Sequence, residues 1–230
     1  MTNTGHTVTL KLQKGLHLQG GGLTEMYIAH KMAFHWGSVD IIGSEHLLEG
    51  RRYPMEVQIY HYSYKFTSEQ LAWKKGHSLV VVAYFVQTGV IENSAFHEII
   101  NNLRMINFKD NQYRVKNWNL EAFLPRNRSC FITYRGSVTF PPCREGVTWI
   151  ILWETVHIST GQLEIFRSLL SEHGAGGPRI LLGNNFRPLQ PINNRGLYRS
   201  CMTMTSVIAL FPSPLRLLLF CQAGIVMVLQ

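Results

Sequence analysis

A mixed α/β domain dominated by β-structure, with a large sheet and peripheral helices, is the fold that the 230-residue sequence predicts. Three observations predict it. Extended patterns outnumber helical ones. The long extended runs do not alternate regularly with helices, which argues against a doubly wound βαβ architecture. The continuous apolar run VVVAYFV, Val80 to Val86, fits a strand covered on both faces. With 46% apolar and 16% charged residues, a chain of this length buries roughly 70 to 75% of its unfolded surface, so no metal or disulfide framework is needed merely to hold it together.

In chain order, TVTLKL at Thr7 to Leu12 alternates apolar and polar residues, the period of a half-buried strand, and Gly20 to Gly22 breaks the pattern. Met26 to Trp36, Pro54 to Tyr62 and Ser78 to Gln87 are further strands, rich in Val, Ile, Tyr and Phe and separated by Gly or charged turns. Helical spacing is clear twice: Phe96, Ile99, Ile100, Leu103, and Leu163, Phe166, Leu169, Leu170, the latter preceded by Ser159 and Gln162 at capping-box spacing. Residues 1–200 are expected to form one domain. The stretch 201–230 changes composition abruptly, with Arg216 its one charge, and is expected to lie outside that domain as an aggregation-prone extension. Its 13-residue run LLLFCQAGIVMVL is short of the about 20 residues that a span needs, so no span is expected and membrane association is left open only through this tail.

The formal charge is +8, yet the basic residues are scattered singly or in pairs such as Arg51-Arg52 and Lys74-Lys75, which argues against a nucleic-acid partner. Four cysteines, Cys130, Cys143, Cys201 and Cys221, show no zinc-knuckle spacing. After Met1 comes polar TNTGH, so no secretion signal is expected in this chain.

"AFHWG" at Ala33 to Gly37, "GSEHLLEG" at Gly43 to Gly50 and "YRGSVTFPPC" at Tyr134 to Cys143 form a specific combination, accompanied in order by "NTGHTV" at Asn3 to Val8 and "NNFRPLQPINNR" at Asn184 to Arg195. Together they resemble the α-carbonic anhydrase family over roughly residues 2 to 200. The resemblance implies a large twisted, mostly antiparallel sheet and, in active members, a zinc ion on three histidines whose bound water becomes a hydroxide near neutral pH and attacks carbon dioxide. The ligand positions are here Ala33, His35 and Gln58, so two of three imidazoles are missing. Neither a methyl nor a carboxamide replaces an imidazole nitrogen as a ligand of such a site. By strand parity, His30 and His61 are expected on the opposite face and cannot substitute.

The resemblance also gives Thr139 and Glu45 the task of orienting the hydroxide, and His6 that of shuttling protons at the cavity mouth; the bland expectation is a buried Glu45–Thr139 hydrogen bond and an exposed His6. Val81, Val147 and Trp149 match the apolar substrate wall, while Phe140 and Tyr60 stand where smaller residues are usual and narrow the pocket. The exchange of histidine for Gln58 within "VQIY" is similar to that in the carbonic-anhydrase-like domains of receptor tyrosine phosphatases. Two departures follow from the resemblance. The family's preceding N-terminal part, about a fifth of the domain, is not represented, and Cys143, whose counterpart in extracellular members bonds to a cysteine there, is expected to be unpaired. Asn127-Arg128-Ser129 is a glycosylation sequon, meaningful in a secreted chain. The expected function is a carbonic-anhydrase-related domain without zinc or other cofactor and without carbonate dehydratase activity. It would be a module for an extracellular or cell-surface protein partner, of extracellular lineage. The alternative is an active zinc enzyme hydrating carbon dioxide.

Overall fold

A computed structural model describes residues 1–76, 78–116, 118–172 and 179–201, together with the backbone of 218–219 and 226–229. Strands β1 (Thr2–Asn3), β2 (Val8–Lys11) and β3 (Leu16–Gln19) open the chain. Gly20, Gly21 and Gly22 then turn it with φ of 84°, 60° and 80°, a region that side-chain-bearing residues adopt at a cost. Two long strands follow, β4 (Tyr27–Trp36) and β5 (Met55–Ser63). Helix α1 (Glu69–Lys75) is capped by the Ser68 hydroxyl, which accepts from the Leu71 amide, with Glu69 in its first turn and two lysines in its last, each suited to the helix dipole. Strand β6 (Leu79–Gly89) comes next.

Helix α2 (His97–Asn102) lies between 3-10 turns at Ser94–Phe96 and Leu103–Ile106 and buries Phe96, Ile99, Ile100 and Leu103, the residues whose spacing marked it. Helix α3 (Leu120–Phe123) leads into β7 (Phe131–Ser137), β8 (Glu145–Leu152) and β9 (Val156–Ser159). Helix α4 (Thr160–Arg167) begins with the anticipated capping box: the Ser159 hydroxyl accepts from the Gln162 amide at 3.1 Å, and the Gln162 side-chain oxygen accepts from the Ser159 amide at 3.0 Å. Ser159→Ala removes the first of these bonds at a buried position. A loss of about 1 kcal/mol is expected, seen as a melting temperature lower by about 2 to 4 °C; an unchanged transition would show that the cap is redundant.

Strand β10 (Leu197–Arg199) and two short strands from the tail, β11 (Leu218–Leu219) and β12 (Val226–Leu229), complete a 12-stranded sheet. Its order is β1-β2-β4-β5-β6-β8-β7-β10-β11, with β3 joining β4 and β12, and β9 joining β6. Pairing is antiparallel except at β6–β8, β6–β9 and β10–β11. The tail thus meets the sheet at backbone level along Leu16–Gln19, whereas 202–217, 220–225 and 230, including Arg216 and most of the apolar run, lie outside the described residues. No helix among the described residues is long and apolar enough to cross a membrane.

The sheet separates two cores, and β6 feeds both: Val80, Val82, Tyr84 and Val86 enter one, Val81, Ala83 and Phe85 the other, all essentially buried. That is why the run at 80–86 shows no polar alternation. Cys130 and Cys201 are joined by a disulfide with Cα atoms 5.1 Å apart, and Cys143 is free.

One expectation of facing fails at β4. A bulge between Ala29 and Lys31 shifts the register, so that Ala29 and Met32, of opposite parity, enter the same core. His30 is thereby turned toward Tyr62, which packs on the core holding Ala33, and its Nε2 lies 3.0 Å from the Glu69 carboxylate. His61 keeps its expected facing, on the side of Val57 and Ile59.

Candidate functional site

Strands β4 and β5 pair with Ala33 opposite Gln58 and His35 opposite Glu56. Because alternate residues of a strand share a face, Ala33, His35, Gln58 and Glu56 project together from one side of the sheet. This is the placement that three convergent metal ligands would require; the side chains present do something else.

Gln58 is fully buried, and both its amide nitrogen and its oxygen are hydrogen-bonded. Its Nε2 donates to Glu45 Oε2 at 2.8 Å and to Glu56 Oε1 at 3.0 Å, and its Oε1 accepts from the Tyr60 hydroxyl at 2.7 Å. Two carboxylates and one hydroxyl therefore orient the amide uniquely. Glu56, also fully buried, accepts through Oε2 from the backbone amides of Glu45 and His46, both at 2.9 Å, and through Oε1 from His46 Nδ1 at 2.8 Å. Burial by itself would raise the Glu56 pKa; the His46 charge and these hydrogen bonds override it and hold the carboxyl at about 2. Burial pulls the other way on His46, and the Glu56 charge wins, raising its pKa. His46 Nε2 meets the Tyr134 hydroxyl at 2.7 Å.

His35 is held differently. Its Nδ1 lies 2.7 Å from the Asn185 carbonyl, which can only accept, so Nδ1 carries the proton. Nε2 is buried and has no protein partner among the described residues. Asn185 also clamps the neighbourhood through its side chain, accepting from the Trp36 amide at 2.8 Å and donating to the carbonyls of Phe34 at 3.1 Å and His6 at 2.9 Å.

The expected Glu45–Thr139 hydrogen bond is not formed. Gln58 and the Arg187 backbone amide, at 2.9 Å, occupy the Glu45 oxygens, and Thr139 Oγ1 is buried beside the Tyr60 hydroxyl instead. His6 is exposed, joined to the site through its backbone carbonyl. Val81, Val147 and Trp149 are buried in the same core as Ala33 and Tyr60. Phe140 is 39% exposed and lies at the rim, its ring 6.4 Å from Tyr60 and 6.3 Å from Trp73. Lys31 Nζ sits over both the Tyr60 and the Phe140 rings, at 4.8 and 5.4 Å, while 3.2 Å from Glu69, so cation and aromatic groups cover this side of the site. The adjoining cavity of about 260 Å³ is lined by Glu45, Thr139, Arg187 and Arg195 rather than by Ala33, His35 or Gln58.

A tetrahedral zinc needs three protein donors. One imidazole, a methyl group and an amide whose two N–H groups and oxygen are each already bonded to neighbours do not fit it. No group of three or more His, Cys, Asp or Glu among the described residues is arranged to hold a metal ion.

The sequence profile of eukaryotic-type carbonic anhydrases matches residues 1–201. The chain belongs to that family. It is 34% identical over 198 residues to Carbonic anhydrase 6 of Homo sapiens, across 85% of this chain and 63% of the relative. Identity to Carbonic anhydrase 7 of Mus musculus is 36% over 201 residues, 85% of this chain and 74% of the relative. A third relative is Receptor-type tyrosine-protein phosphatase zeta of Rattus norvegicus, 34% identical over 203 residues, 86% of this chain but 9% of that protein. The chain thus spans about three fifths of the human relative's length. Within this carbonic anhydrase domain, sequence reasoning missed the part that Glu56, His46, Asn185 and Arg187 take in the network. Glu56 was within reach, since it stands two residues from Gln58 on the same face. His46, Asn185 and Arg187 come from loops whose approach no periodicity foretells.

Proposed function

We propose that this carbonic anhydrase domain retains no zinc, does not hydrate carbon dioxide, and serves as a protein-interaction module of extracellular or cell-surface lineage. The observation that carries the reading is the Gln58 carboxamide, bonded to Glu45, Glu56 and Tyr60 where a ligand would stand. Its two N–H groups and its oxygen have taken over the task of satisfying buried polar groups, which are costly when unpaired. The likeness of this chain to a segment of a receptor-type phosphatase supports the setting, because there the segment is a small part of a larger protein. The partner is a cell-surface or extracellular protein.

The opposing reading, an active zinc enzyme, draws on the Nε2 of His35, which has no protein partner among the described residues and which a zinc ion would satisfy. Metal analysis separates the two. The purified chain, loaded with excess zinc and dialysed, is expected to hold well under one ion in ten chains and to leave the uncatalysed hydration rate unchanged. About one zinc per chain, with hydration that a sulfonamide blocks, would establish the enzyme instead.

A further inference from the structure

The loop between α3 and β7 carries Asn127-Arg128-Ser129, the one Asn-x-Ser/Thr sequence in the chain. Asn127 is exposed, and its Oδ1 accepts from the Ser129 backbone amide at 3.1 Å and from the Ser129 hydroxyl at 2.6 Å. A hydroxyl donating to the carboxamide oxygen draws electron density toward that oxygen and loosens the Nδ2 protons. Nδ2 itself has no protein partner among the described residues. The loop is fixed from behind: Glu154 accepts from the backbone amides of Arg126 at 3.2 Å and Asn127 at 2.9 Å, and the Ser129 carbonyl accepts from the Ser200 hydroxyl at 2.6 Å.

A second observation points to the same compartment. Cys130, next to the sequon, is bridged to Cys201. Disulfides persist in oxidising lumenal and extracellular environments, where N-linked oligosaccharides are attached and retained.

We infer that Asn127 Nδ2 is a site of N-linked glycosylation. In the transfer, the bond between the sugar anomeric carbon and the phosphate of a lipid pyrophosphate-linked oligosaccharide breaks, and a bond from that carbon to Nδ2 forms. Nδ2 gives up one proton and the lipid pyrophosphate leaves. No oxidant or reductant takes part. The glycan stands at the start of β7, while Ser137 and Thr139 lie at its far end, roughly 20 Å away at strand rise, so it does not obstruct the face around Gln58. The inference rests on the extracellular placement proposed above but not on the loss of zinc.

The test directs the full chain into the lumen of mammalian cells with a cleavable leader, followed by peptide N-glycosidase digestion and peptide mass spectrometry. One glycan is expected, leaving aspartate at position 127 after digestion. N127Q and R128P should each abolish it, and S129T should keep it. Because the leader delivers the chain to the lumen wherever the natural protein resides, a chain with the Cys130–Cys201 bridge formed and Asn127 unmodified overturns the site and leaves the extracellular placement standing. A glycan that persists in N127Q overturns it as well.

Discussion

Replacing Ala33 and Gln58 together by histidine is expected to give a chain that keeps about one zinc ion after dialysis, where the natural sequence is expected to keep almost none. The three imidazoles would then project from one face of β4 and β5 at paired positions, enough for a tetrahedral site with an open fourth position. Much of the supporting frame is in place. His35 has its Nδ1 oriented by the Asn185 carbonyl and its Nε2 without a protein partner among the described residues, and the buried Glu56 carboxylate, held at about 2, is available to accept from an imidazole at position 58. Such outer partners are worth about 10- to 100-fold in metal affinity. Either single substitution leaves two donors, so neither Ala33→His nor Gln58→His alone should retain more than a small fraction of an ion. The exchange at 58 also strips the Tyr60 hydroxyl of its acceptor, at a cost of about 1 to 3 kcal/mol, and hydration should stay slow because Tyr60 and Phe140 remain. Equilibrium dialysis decides: a folded double variant that binds no zinc would mean that the three positions do not converge.

Acidification from pH 7 to about pH 4 is expected to remove about 3 kcal/mol of stability through one side chain, His61. It is 1% exposed, on the apolar face with Val57 and Ile59, its ring beside backbone groups of Val80 and Ile59. Burial pushes its pKa down to about 4, with backbone groups of Val80 and Ile59 opposing only in part. The unfolded chain, with histidine near 6.5, therefore binds the proton first; the neutral ring's contribution is complete above that value and is lost as pH falls toward 4. Glu56 acts over a lower window, its stabilisation present above its ordinary value of 4.5 and lost toward 2. His46 has the reverse sign: its pKa is raised in the fold, so its contribution is full below 6.5 and fades as pH rises through the raised value. Urea unfolding at a series of pH values should show His61→Leu flattening the limb between 6.5 and 4 while leaving the Glu56 limb in place. An equally steep limb in the variant would remove His61 from the account.

Strand structure was legible wherever a run was long and its burial uniform. Val80 to Val86 could only be a two-sided strand, and 26–36, 54–62 and 78–87 fall within a residue or two of β4, β5 and β6. The shorter β3, β9 and β10 offer three or four residues of pattern, too few for a period to show. Helix α1 was missed because it buries only Ala72, so it has no apolar stripe to read. At the site, Ala33 and Gln58 were visible as residue identities, whereas the hydrogen bonds that fix the Gln58 carboxamide were not. That depends on where loop residues such as Arg187 deliver a backbone amide. The reversal of His30 illustrates the limit of parity counting: one extra residue at a bulge, silent in the sequence, exchanges the faces of everything before it.

The parallel pairing of β6 with both β8 and β9 has a temporal consequence. One edge of this central strand waits for partners at 145–159, so 70 residues separate the end of β6 at Gly89 from the end of β9 at Ser159. During synthesis at about 5 to 20 residues per second, that edge stays open for roughly 4 to 14 s, far longer than the microseconds in which hairpins such as β4–β5 close. Through that interval the most apolar strand of the domain presents unpaired amides and carbonyls. The yield of folded chain should therefore respond to elongation rate more than to final stability.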